Sequence, residues 1–271
     1  MKLLACVKAN AYGHGAVPVA KELERIGADY LSVAFLDEAL ELRSAGIKLP
    51  ILVLGYTPPH GVRTAWEHDI TLNVFSDEVL EEIATLDPAE FPHKLKVHVK
   101  IDSGMGRLGL LPGRWGGCLR TQGHADSAGG SGGVVHPFRH GGRCGQKLYI
   151  GTVQPVSGSG NALREHEIEI PIIHTGNSAI SIDLPELSLR MARIGIALYG
   201  LYPSDEVRKD EVQLTPVLSL KTRLVWVKTL PPHSAVSYGA RYVTRREELI
   251  GTLPVGYADG YSRMLSGKRK Y

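Results

Sequence analysis

Residues 3–15 of the chain read Leu-Leu-Ala-Cys-Val-Lys-Ala-Asn-Ala-Tyr-Gly-His-Gly. The apolar run Leu3–Val7 has the length of a buried strand, and Lys8 ends it. Apolar residues in the stretch 16–23 then recur at helical spacing, which predicts a helix that stops at Gly27. A strand followed by a helix is therefore the first unit of the fold.

The same unit recurs along the first hundred residues. Strand starts at 3, 30, 51, 70 and 95 are typical of βα repeats, and helices are predicted at Asp37–Ala45 and after Ser76. Strands rich in Val, Ile and Leu that alternate with helices predict a covered parallel sheet. So many similar units favour a (β/α)8 TIM-type barrel over an open doubly wound sheet. The later strands of this series are predicted at Tyr30–Ala34, Ile51–Leu54, Ile70–Val74 and Leu95–Ile101.

The pattern changes near the carboxyl end of the chain. From Pro216 onward, apolar residues alternate through 218–226, and two short strand-like runs follow at Ser234–Tyr238 and Leu249–Val255. This texture predicts antiparallel β-structure with few strands. We therefore expect a barrel over residues 1–213 and an incomplete, mainly antiparallel β-domain over 214–271.

Composition excludes several classes of protein. The 271 residues are 43% hydrophobic and 22% charged, which is typical of a soluble globular protein. A net charge of +3 gives no reason to expect a nucleic-acid partner. Three scattered cysteines predict neither a metal site nor a disulfide scaffold, and no apolar stretch is long enough to cross a membrane. We expect a cytoplasmic protein.

Lys8 follows the first predicted strand, at the end of a barrel where active sites lie. A lysine whose pKa is lowered can form a Schiff base, and Tyr12, Gly13 and Gly15 would allow a phosphate to approach closely. Lysine is far more often a solvent-facing side chain, however. The residue types alone do not decide between these alternatives.

Seven blocks together resemble the bacterial alanine racemases. Val7–Gly15 resembles their pyridoxal-phosphate lysine motif, and six further blocks follow in the same order. The resemblance covers residues 3–110 and about 164–262, and it implies a (β/α)8 barrel followed by a β-domain. The six blocks are Ala34–Ala39, Lys100–Gly109, Asn177–Ala179, Arg193–Gly200, Val236–Ala240 and Gly256–Gly260.

The resemblance implies a two-base racemisation that depends on pyridoxal 5'-phosphate. Lys8 would bind the cofactor covalently and act as the base toward D-alanine on one face of Cα. Tyr238, reached across a homodimer interface, would act toward L-alanine on the opposite face. Without the resemblance, Tyr238 is more simply explained as a strand tyrosine that caps a core. The product would be D-alanine for peptidoglycan.

Further roles are implied by the same resemblance. Arg193 would donate a hydrogen bond to the pyridine nitrogen and, by keeping its own proton, would make the ring a weaker electron sink. Arg107 would contact the phenolic oxygen of the cofactor and the substrate carboxylate, and Lys100 resembles a lysine that some members carbamylate. The alternatives are a structural salt bridge for Arg193 and an ordinary loop cation for Arg107. The phosphate would be held by Ser178, the amides of Gly195 and Ile196, and the Tyr12 hydroxyl.

Residues 112–161 depart from the family. The stretch 111–160 holds 14 of the 31 glycines but one acidic residue, Asp126, and lacks the family's Tyr-Thr-His-Phe-Ala-Thr-Ala-Asp motif. Synonymous codons exist for Val135–Arg143 that, read one base later, would spell that motif. We therefore expect a frameshift that begins after Leu111 and is restored near Ala162.

Both ends also depart from the family pattern. The strand and helix that precede the lysine motif are missing, and the later β-domain motif would lie beyond Tyr271. We expect the barrel to lose one strand–helix unit within 112–161 and one at its front, and the β-domain to be mostly absent. Because folding stabilities are only about 5–15 kcal/mol, such losses predict a poor or inactive racemase. A racemase for serine or several amino acids, and a barrel that binds the cofactor without catalysis, remain alternatives.

Overall fold

The computed structural model describes residues 1–102, 105–111, 129–135 and 172–265, which belong to two compact units, Met1–Val217 and Leu218–Tyr271. The sheet of the first unit contains eight parallel strands in the order β7-β6-β5-β4-β3-β2-β1-β8. The strands are β1 (Lys2–Cys6), β2 (Tyr30–Val33), β3 (Ile51–Val53), β4 (Ile70–Val74), β5 (Leu95–Lys100), β6 (Gly129–Val135), β7 (Ile173–His174) and β8 (Met191–Ile194).

Backbone hydrogen bonds join the two ends of this sheet. The N–H of Arg190 donates to the carbonyl of Ile173 at 3.1 Å, and the N–H of Arg193 donates to the carbonyl of Gly176 at 3.1 Å. The sheet is therefore closed, which confirms the predicted (β/α)8 barrel.

Helices cover the outer face of the barrel. The described helices of this unit are α1 (Ala16–Arg25), α2 (Leu36–Ser44), α3 (Pro59–Glu67), α4 (Asp77–Thr85), α5 (Ser178–Asp183), and 3-10 turns at Pro88–Glu90, Pro185–Ser188 and Ile196–Tyr199. Helix α3 was not predicted, because Pro58-Pro59 is also typical of a turn; here Pro59 occupies the first helical position, which suits its fixed φ.

Side chains that alternate along the barrel strands point either to the apolar layer between sheet and helices or to the inside of the barrel. The side chains of Leu72, Val74 and Val97 belong to the large apolar cluster shared with the helices. Their neighbours Asn73, His98 and Lys100 are buried on the opposite face, inside the barrel. The barrel interior is thus partly polar near its carboxyl-terminal end.

Two expectations about the barrel are wrong. We expected it to lack a strand at its front, but β1 pairs with β2 on one side and β8 on the other. We also expect the sixth strand–helix unit to be lost, and for its strand this is wrong, because the backbone of Gly129–Val135 pairs with β5 and β7. The rest of the stretch 112–161, where we predict a frameshift, lies outside the described residues.

The second unit is built from antiparallel pairs, as predicted. Strand β9 (Trp226–Leu230) pairs with β12 (Glu248–Thr252), and β10 (Ala235–Val236) pairs with β11 (Tyr242–Val243). The predicted alternation over 218–224 is not a strand, because the ladder begins only where the N–H of Val225 donates to Thr252. The 3-10 turns of this unit are Tyr238–Ala240, Tyr257–Asp259 and Arg263–Leu265.

Within the described residues, no helix has both the length and the apolar character that a membrane span requires.

Candidate active site

Lys8 is the first residue of the short helical element Lys8–Tyr12, in which the four residues after the lysine are left-handed. The residues Ala9, Asn10, Ala11 and Tyr12 have φ of 52°, 53°, 53° and 53°. An L-residue in this conformation costs about 1–2 kcal/mol, and left-handed residues normally occur singly. Four in succession therefore need support from the surrounding structure.

Side chains at both ends support this turn. The Oδ1 of Asn10 accepts a hydrogen bond from the N–H of Ala16 at 2.7 Å, which ties the turn to α1. The carboxylate of Glu38 accepts from the N–H of Ala9 and from that of Ala34 at the end of β2. The backbone that carries Lys8 is thus fixed to two neighbouring elements.

Ser178, Gly195 and Tyr12 come together beside this turn. The N–H of Gly195 donates to the Oγ of Ser178 at 2.9 Å, and that of Ala197 donates to the same atom at 3.4 Å. A Cβ on Gly195 would lie 2.9 Å from the Tyr12 hydroxyl. Glycine therefore leaves room for a close approach of a small ligand to two hydroxyls and to the backbone of residues 195–197. Ile196 begins the 3-10 turn at this place.

Tyr199 packs against the ring of Tyr12. Its hydroxyl donates to the carbonyl of Cys6 at 2.7 Å, and its ring lies 5.0 Å from that of Tyr12 and 4.6 Å from that of His14. Burial raises the pKa of Tyr12 and that of Tyr199. Both phenols are therefore neutral hydrogen-bonding groups at neutral pH.

The guanidinium of Arg193 lies inside the barrel at the end of β8. It donates to Nδ1 of His174 at 3.0 Å, to the carbonyl of His174 at 3.3 Å and to that of Thr175 at 3.1 Å. Burial lowers the pKa of Arg193 to about 10, so the group keeps its proton at neutral pH.

Lys100 and Arg107 add positive charge at the same end of the barrel. Lys100 is 4% exposed and donates to the carbonyl of Leu54 at 2.8 Å. Burial, followed by the charges of Arg107, Arg193 and Lys8, lowers its pKa to about 8. Lys100 and the three cations that act on it, Arg107, Arg193 and Lys8, together favour the binding of an anionic ligand.

The loop that carries Arg107 is held by Asp102. The Oδ1 of Asp102 accepts from the N–H of Gly106 at 3.0 Å, and the Oδ2 accepts from that of Arg107 at 3.2 Å. This carboxylate shapes the turn after β5, and the Arg107 side chain is exposed beyond it.

Tyr238 lies in the other unit, on the 3-10 turn Tyr238–Ala240. Its side chain is 95% exposed. The predicted strand Ser234–Tyr238 ends earlier, at Val236, and Ser237 has φ of 64°. An exposed phenol at such a turn does not cap a core within its own unit.

Sequence reasoning missed three supporting residues. Glu38 accepts a hydrogen bond from the backbone of the lysine turn. His174 contacts Arg193, and His98 contacts His174. Period-2 alternation could have indicated His98, which precedes Lys100 by two residues and therefore shares its face. His174 directly ends a strand before the block Asn177–Ala179, which is a weaker signal.

The donors fit the phosphate-bearing cofactor that the sequence implies. Hydroxyls of Tyr12 and Ser178 and a glycine without Cβ provide a cradle for a phosphate, while Arg193 and Lys8 lie at the adjoining strand ends. Within the described ranges, no group of three His, Cys, Asp or Glu side chains could hold a metal ion.

Two family models match the chain. "Alanine racemase, N-terminal domain" matches residues 1–203, and "Alanine racemase, C-terminal domain" matches residues 217–271. Among curated proteins, "Alanine racemase 1" of Oceanobacillus iheyensis is 44% identical over 267 residues, with 98% of this chain and 70% of that protein covered. The alanine racemase of Clostridium perfringens is 43% identical over 272 residues, with 99% and 69% covered.

Solved structures agree with these matches. The chain is similar to the alanine racemase from E. faecalis, with a TM-score of 0.89, 37% identity, and 99% and 71% of the two chains covered. It is also similar to the alanine racemase from Bacillus anthracis with bound L-Ala-P, with a TM-score of 0.86, 38% identity, and 99% and 69% covered. The predicted resemblance and its fold are confirmed.

Proposed function

The chain belongs to the alanine racemase family, and from that premise we propose how its own residues would interconvert L-alanine and D-alanine; that the chain does so poorly stays a prediction, which its rate of alanine racemisation tests. The family is a group of isomerases, EC 5.1.1.1, that depend on pyridoxal 5'-phosphate. The main support is that the residues expected to bind the cofactor lie at one end of the barrel. They are at the carboxyl-terminal ends of β1, β7 and β8 or in the turns that follow: Lys8, Tyr12, Ser178, Arg193 and Gly195.

These residues would hold the cofactor at both ends. Lys8 would attach to its aldehyde carbon, and Arg193 would donate to its ring nitrogen. When bound, the cofactor withdraws electrons from the Cα of alanine and so makes the Cα proton removable. The phosphate would contact Tyr12 Oη, Ser178 Oγ and the amides of Gly195 and Ile196, a placement supported by the Cβ-free approach at Gly195.

Two bases would move the proton at the alanine Cα. Once the amine of alanine has displaced Lys8 from the cofactor, the released amine of Lys8 would take the proton from D-alanine, or return one to form it, on one face of Cα. The phenol of Tyr238 would serve L-alanine on the opposite face. Removal on one side and return on the other inverts the centre.

Tyr238 would come from a second copy of the chain in a homodimer. Its 95% exposure supports this role, because the phenol is available to another molecule. Arg107 would bind the substrate carboxylate from the turn that Asp102 fixes. The positive charge of Arg107 also complements the carboxylate, which is the only negative group of alanine.

Arg193 would orient the ring without giving up its proton. Its pKa of about 10 is well above neutral pH, so the guanidinium donates a hydrogen bond and stays charged. Such a donor limits electron withdrawal by the ring and thereby favours return of the proton to Cα over side reactions. We place this activity in the cytoplasm, where it would supply D-alanine for peptidoglycan.

Exchange of the Cα proton in D2O tests the two-base assignment. In Tyr238→Phe, we expect exchange into L-alanine to fall by about 10²–10⁴, because the phenol is its base, while exchange into D-alanine continues through Lys8. Tyr242→Phe is the matched control, since this tyrosine lies in the same unit and donates to Glu248. Equal loss for both enantiomers, or none, would contradict the assignment.

Cofactor attachment is tested separately. Lys8→Ala should abolish the visible absorbance that covalent attachment produces, while Lys2→Ala, at the far end of β1, should retain it. Retained absorbance in Lys8→Ala would show that another amine carries the cofactor.

A further inference from the structure

A chain of buried hydrogen bonds leads from Arg193 into the barrel. Arg193 Nη1 lies 3.0 Å from Nδ1 of His174, and Nε2 of His174 lies 2.9 Å from Nδ1 of His98. His98 and His174 are fully buried, and Arg193 is 8% exposed. These hydrogen bonds connect the strands β8, β7 and β5, whose residues are far apart in the sequence.

The charge of Arg193 determines which ring nitrogens of His174 and His98 carry protons. A guanidinium only donates, so Nδ1 of His174 must be an acceptor without a proton. The proton of His174 is then on Nε2 and is donated to Nδ1 of His98. His98 in turn carries its own proton on Nε2. Both imidazoles are neutral, and burial lowers the pKa of His98 to about 3, in agreement with this assignment.

Asn73, in the strand next to β5, is a second buried polar side chain near the last donor of these hydrogen bonds. His98 in β5 is the direct register partner of Asn73 in β4. In the part of the chain that the structure describes, Nε2 of His98 and both amide atoms of Asn73 are buried without a hydrogen-bond partner. The amide oxygen of Asn73 is therefore the acceptor type that matches the terminal N–H of His98.

We propose that His98 is a positioning residue for Arg193: by accepting a hydrogen bond from Nε2–H of His174, it keeps Nδ1 of His174 unprotonated, so that this atom accepts from the guanidinium. This inference rests on the proposed function, in which Arg193 binds the ring nitrogen of the cofactor. Without an acceptor at His98, the other tautomer of His174 becomes competitive, and its Nδ1–H would oppose the N–H of Arg193. The guanidinium would then lose one of its contacts and turn away from its position.

The first test measures the tautomers directly in the full chain, with and without pyridoxal phosphate. Long-range ¹H–¹⁵N spectra of histidine-labelled protein should show His98 and His174 protonated on Nε2. Nδ1–H on His174 in the unsubstituted protein would overturn the proposal. This measurement needs no variant and does not depend on catalysis.

The second test uses a matched pair of variants. His98→Leu removes the acceptor, whereas His98→Asn provides an amide oxygen near the place of Nδ1. We expect His98→Leu to weaken pyridoxal-phosphate binding, followed by absorbance titration, by about tenfold, and to give His174 a mixture of tautomers. His98→Asn should restore the Nε2–H tautomer and most of the affinity. Equal effects of the two variants on His174 would overturn the proposal.

Failure of the proposed function gives a different result. If Arg193→Gln leaves cofactor affinity and absorbance unchanged while both histidines hold the Nε2–H tautomer, the role of Arg193 toward the cofactor is wrong. A role for His98 in positioning Arg193 for that cofactor is then overturned with it, although the tautomers themselves are as inferred.

Discussion

Glu38 and Ala9 are joined by a hydrogen bond in which Oε1 of Glu38 accepts from the N–H of Ala9 at 2.6 Å. Oε2 of the same carboxylate accepts from the N–H of Ala34 at 2.6 Å and from that of Phe35 at 3.2 Å. One side chain on α2 thus ties the end of β2 to the first left-handed residue after Lys8. The strained turn that presents the lysine is held by a charge that is not part of the turn.

Glu38→Gln should destabilise the protein and weaken cofactor binding. A carboxylate accepts at both oxygens, whereas an amide has one acceptor and would place N–H groups against backbone N–H groups. Hydrogen bonds to charged groups contribute about 1.5–3 kcal/mol, so we expect a loss in this range in urea denaturation. Glu41→Gln, an exposed carboxyl on the same helix, should change stability by less than about 0.5 kcal/mol. Equal losses in the two variants would contradict this role.

The close approach at Gly195 predicts a non-additive pair of substitutions. Gly195→Ala places a Cβ 2.9 Å from the Tyr12 hydroxyl and should lower cofactor affinity by more than about tenfold. In a Tyr12→Phe background that oxygen is gone and the nearest remaining ring atom is 3.7 Å away, so the same alanine should cost clearly less. Titration of pyridoxal phosphate into all four proteins measures the coupling. Additive losses would show that the two residues do not share a site.

Strands β1 to β5 were predictable because each contains a short, largely apolar run that is mostly buried, whereas β6 has the sequence Gly-Gly-Ser-Gly-Gly-Val-Val and gives no such signal. Predicted and observed bounds for β4 are the same, and those for β2 differ by one residue. The left-handed turn was not predictable, since Ala9, Ala11 and Tyr12 have no intrinsic preference for positive φ. It forms because tertiary contacts such as that of Glu38 outweigh the local cost.

The polar chain inside the barrel was also beyond sequence reasoning. His98 and His174 are 76 residues apart, and only closure of the barrel brings them within 2.9 Å. The roles of Lys8, Arg193 and Tyr238 came from family resemblance. Residue types alone left a surface lysine, a salt bridge and a core tyrosine as equal or better explanations.

Lys100 predicts a rise in stability with pH. Its pKa is lowered from 10.5 to about 8 in the folded protein, chiefly by burial. Between these two values the unfolded chain binds more protons than the folded one, so the free energy of unfolding increases as pH rises. The full gain is about 3 kcal/mol at 1.36 kcal/mol per pKa unit. Urea denaturation at pH 7.5 and 9.5 in carbon-dioxide-free buffer should show part of this gain.

Lys100→Met is the control for this pH dependence. The variant has no titrating group at this position, so its stability should change less between the two pH values than that of the unsubstituted chain. If both proteins gain equally, other groups cause the rise. Lys96 lies on the same strand as Lys100, is exposed and pairs with Asp69. Lys96→Met should therefore keep the increase in the free energy of unfolding between pH 7.5 and 9.5.

The frameshift hypothesis predicts what the DNA for residues 112–161 contains. Strand β6 ends at Val135, and synonymous codons can be chosen that, read one base later from this residue, spell the family motif Tyr-Thr-His-Phe-Ala-Thr-Ala-Asp. The shifted motif would therefore begin in the strand at the sixth barrel position, which is the strand on which the family carries it. Resequencing should reveal one change of frame after Leu111 and a second near Ala162. An uninterrupted frame that encodes Gly116–Gly160 as given would end the hypothesis, and it would leave the glycine-rich composition of this stretch as a property of the protein itself.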